Sequence, residues 1–201
     1  MIKLPKECNV NKFIPKKTFY EKIGINNAIK NDFTNYIEKI VWMYKLSEEN
    51  INISKTDKVE EIEIFEIELK DKKIPKNILK VISKSIPYKI LFILKYLQEF
   101  CYVVAEEEIY STEWNKEIKF DFIGYNLTNV YEKIIKTIIE KEDSNSNLEE
   151  ILEKEKRINE LNNQIEQLTN KMNKEVQFKK KVELNQKIRS LKGKLEEIKD
   201  E

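Results

Sequence analysis

The sequence predicts an α/β (α+β) protein, with a mixed β-sheet covered by helices and followed by a C-terminal coiled coil. A charged and apolar alternation over residues 61–70 and an apolar run over residues 90–94 are typical of strands. Apolar residues at helical spacing surround these strands, and a seven-residue repeat begins at Leu148. These patterns divide the chain into a compact domain (1–142), a polar linker (143–147) and a coiled-coil arm (148–201).

The first half of the compact domain combines one predicted helix with two predicted strands. Apolar residues at three-and-four spacing predict a helix from Asn26 to Tyr44. The segment Ile51–Ile53 predicts a short strand, and residues 61–70 predict a longer one. The adjacent Ile64 and Phe65 break the alternation of the longer strand, so we expect a bulge there or a strand with both faces covered.

A strand, a helix and a strand follow in close succession. Pro75 starts a helix that Pro87 ends, and the apolar run Ile90–Leu94 predicts a buried strand. A helix between two strands implies that the strands are parallel. The second half is then completed by three predicted antiparallel strands and by a helix capped at Asn126 or Thr128. The three strands are Phe100–Ala105, Ile109–Trp114 and Ile118–Phe122.

The region after the linker carries two heptad patterns that are out of phase. Their apolar positions, which we expect to bind a partner, are Ile151, Ile158, Leu161, Ile165, Leu168 and Met172, then Leu184, Ile188, Leu191, Leu195 and Ile198. Either one helix of roughly 75 Å continues through the break, at 1.5 Å per residue, or the chain turns near Asn173 into a hairpin. The lack of Gly or Pro at the break slightly favours the single helix.

Composition excludes several classes of function. The chain has no histidine, which removes the commonest general base and transition-metal ligand. Its three glycines cannot form a phosphate-binding loop, and its two distant cysteines suit a reducing compartment better than a disulfide or zinc site. The net charge of +1 implies no general attraction to nucleic acid or anionic lipid. No signal peptide or membrane span is evident, so we expect a cytoplasmic protein without a cofactor.

One catalytic pattern is present. Asp57, with Glu68 and Lys70 on the same predicted strand, matches the Asp and Glu-x-Lys set of magnesium-dependent nucleases of the restriction-endonuclease class. The carboxylates would bind Mg²⁺ and the lysine would polarise the attacking water. A strand alternating Glu, Ile and Lys also produces this pattern by chance, so a solvated strand face is the favoured interpretation.

Two basic clusters are candidates for nucleic-acid binding. Lys12, Lys16 and Lys17 lie among the aromatic residues Phe13, Phe19 and Tyr20, and Lys179, Lys180 and Lys181 lie at the break between the heptad patterns. Lysines can hold phosphates, and aromatic rings can stack on bases. An anchored N-terminal segment and a solvated helix face are the simpler explanations, and we favour them.

Several segments resemble a bacterial family of domains of unknown function, family 4391. The resemblance covers the whole chain and is carried by Leu4-Pro5-Lys6, Val10–Tyr20, Trp42–Leu46, Phe65–Lys70 and Ile86-Pro87-Tyr88 before Ile90–Phe92. Members are often encoded beside Swi/Snf-type helicases and DNA methyltransferases in antiphage islands. The resemblance therefore implies a defence or restriction-like assembly, but it assigns no catalytic residue.

Together these patterns favour a non-catalytic accessory or adaptor subunit of an antiphage or restriction-like complex. We expect its coiled coil to bind a helicase, a DNA methyltransferase or a second copy of the chain. The alternative is the nuclease, which would require Mg²⁺ as its cofactor.

Overall fold

The computed structural model describes residues 2–19, 27–141 and 147–200, and it divides the chain into two compact units, Met1–Ser144 and Asn145–Glu201. The first unit contains a six-stranded sheet and helices, and the second contains two long helices. The strands are β1 (Asn9–Phe13), β2 (Ile37–Ser47), β3 (Glu61–Leu69), β4 (Lys89–Tyr96), β5 (Glu99–Ala105) and β6 (Ile109–Ser111). The helices are α1 (Asn27–Tyr36), α2 (Glu48–Ile51), α3 (Lys76–Ser85), α4 (Leu127–Ile138), α5 (Leu148–Lys174) and α6 (Phe178–Asp200).

The predicted fold class is confirmed, because the sheet is mixed and helices cover it. Its strands are ordered β1-β2-β3-β4-β5-β6, as they are in the chain. β3 and β4 are parallel and are joined through α3, while every other neighbouring pair is antiparallel. The parallel pair predicted from the succession of strand, helix and strand is therefore correct.

Helices pack against both faces of the sheet. On one face, Phe33 of α1 and Leu79 of α3 join a buried cluster with Phe65, Phe92 and Val103 of the strands. On the other face, α4 packs against β3, β5 and β6 through its buried stripe. That stripe consists of Val130, Tyr131, Ile134, Ile135 and Ile138, as the helical spacing predicts. The Asn126 side chain caps α4 by accepting a hydrogen bond from the Asn129 N–H at 2.9 Å.

The predicted helix from Asn26 to Tyr44 is wrong beyond Tyr36. Asn26 lies outside the described residues, α1 ends at Tyr36, and the chain continues at once as β2. The pairing of β2 with β3 shifts twice, between Ile37 and Lys39 and between Trp42 and Tyr44. Each shift inserts an extra residue, so Ile37 and Ile40 join the same buried cluster although they are three positions apart. These bulges reproduce the three-residue spacing of a helix.

The bulge expected near Ile64 and Phe65 lies on the partner strand. Trp42 pairs with Phe65 and Tyr44 pairs with Ile64, so the extra residue is Met43 of β2. Both faces of β3 are also covered, because Ile64 and Phe65 are both buried. Of the two alternatives for β3, the strand with both faces covered is therefore confirmed, whereas the bulge belongs to β2.

Two predicted short strands are absent from the described residues. Ile51–Ile53 was expected to be a strand, but Ile51 ends α2 and Asn52 follows it with a left-handed φ of 54°. The segment Ile118–Phe122 makes no strand ladder. Side chains hold it instead, because Phe120 packs edge-on against Tyr102 with ring centroids 4.9 Å apart and Asp121 pairs with Lys133 at 2.9 Å.

The second unit is a helical hairpin, formed by α5 and α6 packed against each other. The slight preference for one continuous helix is therefore wrong, because the chain leaves the helix after Lys174 and re-enters it at Phe178. Of the predicted linker 143–147, residues 143–146 lie outside the described residues, and Asn147 caps α5. No helix in the described part of the chain is long and apolar enough to cross a membrane.

Candidate functional site

The turn of the hairpin, residues 175–177, is closed by a carboxylate. Oε1 of Glu175 accepts hydrogen bonds from the backbone N–H groups of Val176 at 2.9 Å and Gln177 at 3.0 Å. These hydrogen bonds lower the pKa of Glu175, and the bond from Gln177 has the largest effect. The positive charges of the nearby Lys180 and Lys181 lower the pKa further. The side chain of one glutamate thus satisfies two backbone N–H groups in a turn that contains neither Gly nor Pro.

The apolar positions of both heptad patterns are only partly covered in the hairpin. Among the described residues of this unit, Ile151 and Ile188 are the hydrophobic side chains that reach full burial, at 6% exposure each. The other predicted positions are half-buried: Ile158, Leu161, Ile165, Leu168, Met172, Leu184, Leu191, Leu195 and Ile198. The packing of two helices therefore leaves part of each of these apolar side chains exposed. We call these half-buried side chains the seam.

The tip of the hairpin carries apolar side chains that the heptad analysis did not single out. Val176 is 92% exposed and Phe178 is 82% exposed. The exposed Lys179, Lys180 and Lys181 follow them in the first turn of α6. We call Val176 and Phe178 the tip. The sequence could have indicated this exposure, because Val176 and Phe178 are apolar residues in a strongly charged stretch and fit neither heptad pattern.

The seam and the tip are the features typical of a protein-binding surface. A contiguous apolar patch with a charged rim is uncommon on a protein that functions alone. Aromatic side chains exposed at such a patch often become buried anchors in a complex. The hairpin therefore offers two apolar elements, one along its length and one at its end.

The N-terminal basic cluster is only partly available for phosphate contacts. Lys12 and Lys17 are exposed, but Lys16 donates a hydrogen bond from Nζ to the backbone carbonyl of Ile37. Burial, followed by the positive charge of Lys70, lowers the pKa of Lys16. Lys16 thus ties the N-terminal segment to the start of β2. The predicted neighbour Tyr20 lies outside the described residues.

The structure does not bring the three nuclease candidates together. Asp57 lies in a turn that precedes β3. A hydrogen bond of 3.0 Å from the Thr56 N–H to the Val59 carbonyl oxygen closes this turn. Glu68 lies near the opposite end of β3, and the strand from Glu61 to Glu68 alone spans about 23 Å at ~3.3 Å per residue. Two carboxylates so far apart cannot share one ion, whose oxygen ligands lie within about 2.6 Å.

Lys70 has structural partners of its own. Its Nζ donates to the carbonyl of Thr34 at 2.9 Å and lies 3.6 Å from the Glu38 carboxylate. Glu68 is exposed on the sheet between Lys39 and Lys95, its cross-strand neighbours. Within the described residues, no group of three or more His, Cys, Asp or Glu side chains is arranged to hold a metal ion. These contacts support the solvated strand face as the interpretation of the Glu-x-Lys pattern.

A buried carboxyl in the first unit escaped the sequence analysis. Glu63 of β3 is 3% exposed and lines a cavity of about 240 Å³ with mostly apolar and aromatic walls. Burial, and then the negative charge of Glu61, raise the pKa of Glu63 to about 8. The sequence did contain a signal for this burial. Alternate residues of a strand face the same side, and Glu63 alternates with Phe65, Ile67 and Leu69, which face the buried cluster.

Comparisons with known proteins identify a family but no activity. A protein-family model described as a domain of unknown function (DUF4391) matches residues 2–195, nearly the whole chain. No curated protein and no solved structure matches the chain.

Proposed function

The chain belongs to this family of domains of unknown function, and we propose that it is a non-catalytic adaptor subunit that binds a protein partner through its helical hairpin. The observation that carries the proposal is the seam, whose leucine and isoleucine side chains stay half-buried after the two helices have packed. A third helix laid along the seam would remove that apolar surface from water, at roughly 25 cal/mol per Å².

The tip supports the same role. Phe178 and Val176 are more than four-fifths exposed, so they contribute little to the folded hairpin. A partner that covers both would gain an aromatic anchor whose truncation typically costs about 2 kcal/mol or more of binding energy. The lysines beside the tip favour a partner surface with acidic groups.

The partner that we propose is a helicase, a DNA methyltransferase or a second copy of the chain, within a cytoplasmic antiphage or restriction-like complex. The adaptor role assigns no chemical step to Asp57, Glu68 or Lys70, which are far apart or engaged in structural contacts. It also requires neither Mg²⁺ nor another cofactor. Contact between the exposed lysines Lys12, Lys17 and Lys179–Lys181 and nucleic acid stays a separate prediction.

The test uses the full chain and the double variant Val176→Ser/Phe178→Ser. Light scattering measures self-association, and affinity capture with helicases and methyltransferases encoded beside the gene measures hetero-association. We expect the wild type to form a dimer or a hetero-complex, and the variant to lose it by tenfold or more in affinity, about 1.4 kcal/mol. Because the altered side chains are exposed, circular dichroism should show an unchanged fold.

The control is Leu97→Ser, which replaces an equally exposed apolar residue, 82%, in the first unit. It should leave the complex unchanged. The adaptor proposal is wrong if the wild type is monomeric and captures no candidate partner, or if the tip variant and the Leu97 variant bind equally well.

A further inference from the structure

We propose that the cavity beside Glu63 binds a small molecule that has an apolar, ring-sized body and a single ammonium group. Its walls come largely from the aromatic residues Phe19, Trp42, Phe65 and Tyr88. Every one of these residues belongs to the first unit, so the site does not depend on the hairpin. The proposal goes beyond the adaptor role and rests on separate observations.

The first observation is an unpartnered polar atom. Oε2 of Glu63 is buried and makes no hydrogen bond with any of the residues that the structure describes. Leaving a buried polar group unpaired costs on the order of 1–3 kcal/mol, and native proteins carry few such groups. Glu63 is one of the residues that line the cavity, so this unpaired oxygen lies close to the space that a ligand would occupy.

The second observation is the balance of charge around the cavity. Glu61 is already paired with Lys45, at 2.7 Å between Oε1 and Nζ. An ionised Glu63 would therefore add a second negative charge, and it would share the single positive charge of Lys45 with Glu61. The carbonyl end of α3 also borders the cavity at Ser85 and Ile86, and the C-terminus of a helix favours cations. Both features attract a positive group.

The third observation is the shape and character of the walls. Trp42 and Phe65 lie nearly parallel, with ring centroids 6.3 Å apart and an angle of 7° between planes. Aromatic faces attract ammonium groups as well as apolar rings. A cavity of about 150 Å³ holds benzene, so about 240 Å³ holds one ring with a short amino-bearing chain.

Binding has a predictable proton balance. The empty site holds Glu63 protonated at neutral pH, because its pKa is about 8. The bound ammonium stabilises the carboxylate, so the Glu63 proton is released to solvent. Other groups near this carboxyl are Glu61, Lys45, the Trp42 indole N–H and the Tyr88 hydroxyl, and Lys84 is exposed in the last turn of α3. We therefore expect the affinity to rise about tenfold per pH unit up to pH ~8.

The experiment compares benzylamine with benzyl alcohol and benzoate on the full chain, by calorimetry and tryptophan fluorescence. Benzylamine should bind at about millimolar Kd or tighter, and both analogues should bind at least about tenfold more weakly. Glu63→Gln, which keeps the shape and removes the charge, should weaken benzylamine about tenfold and leave benzyl alcohol unchanged.

Two further outcomes decide the proposal. Benzylamine affinity in the wild type should rise between pH 6 and about pH 8, and this measurement needs no variant to fold. Absence of benzylamine binding, equal binding of benzylamine and benzyl alcohol, or a pH-independent affinity would each overturn the ammonium site.

Discussion

The β-sheet unit and the helical hairpin bury their apolar residues to very different extents. In the first unit, both sheet faces are covered and residues such as Phe92, Ile64 and Leu79 are fully buried. In the hairpin, the described hydrophobic residues that reach burial are Ile151 and Ile188. A layered unit has a core of its own, whereas a two-helix hairpin keeps apolar surface for something else. This difference is the one expected if the first unit supplies most of the stability and the hairpin supplies the proposed binding surface.

The largest expected difference comes from the same substitution made in both regions. Phe92→Ala empties a fully buried position and should lower the free energy of unfolding by about 4 kcal/mol. Phe178→Ala, at an 82% exposed position of the hairpin, should change it by less than about 0.5 kcal/mol. Urea denaturation followed by tryptophan fluorescence and circular dichroism measures both. Equal losses would contradict the assignment of Phe178 to a free tip.

The next prediction concerns pH. The pKa of Glu63 is raised from 4.5 to about 8 in the folded protein, so the folded state keeps a proton that the unfolded state releases. Stability is therefore lost as the pH rises from 4.5 through 8, by about 3 kcal/mol at pH 7. Urea denaturation of the wild type and Glu63→Gln across this range should show a gap that widens with pH. A constant gap would mean that Glu63 is ionised throughout.

A smaller effect is expected from the buried side chain of the hairpin. Ile188→Ala should destabilise α5 and α6 by about 2 kcal/mol, the lower end for a buried isoleucine, because the hairpin is thin. Circular dichroism detects this loss, while fluorescence does not, since Trp42 and Trp114 both belong to the first unit. The control is Ile123→Ala, at a 75% exposed position of the first unit, which should leave both signals unchanged. A matching fluorescence change for Ile188→Ala would show that the two units unfold together.

The smallest effects concern the helix caps. Asn126 caps α4 with a 2.9 Å hydrogen bond, and Asn147 caps α5 with one of 3.3 Å. Asn126→Ala should cost about 1 kcal/mol, measured by fluorescence. Asn147→Ala should cost less, measured by circular dichroism, because its bond is longer and exposed. The reverse order would indicate that the hairpin depends on its cap more than on its packing.

The sequence predicted those parts of the fold in which one local pattern dominates. The stripe from Val130 to Ile138 and the run over residues 90–94 each have a single period, and both elements are present. Residues 37–44 were assigned to a helix because bulges at Glu38 and Met43 give a strand the spacing of a helix. Periodicity alone cannot distinguish these cases.

The candidate sites show the same limit. The heptad positions identified an apolar stripe, but the turn could not be predicted from composition, because Glu175 forms it through its own side chain. Glu63 was missed although it has the same parity in β3 as the buried Phe65 and Ile67, because a charged residue in an alternating strand is normally assigned to the solvent face. In both cases, the role of the glutamate depends on where its side chain points. Glu175 points to backbone N–H groups of the turn, and Glu63 points to the buried side of the sheet.

The order of the sheet has a consequence for how the chain folds. Each strand pairs with the strand that precedes it in the chain, from β1 to β6. Few pairings must therefore wait for distant segments, and folds rich in such near-neighbour contacts form quickly. A chain that leaves the ribosome from its N-terminus can add strands to one growing edge in the order of synthesis, and the sheet can be complete before the hairpin is made.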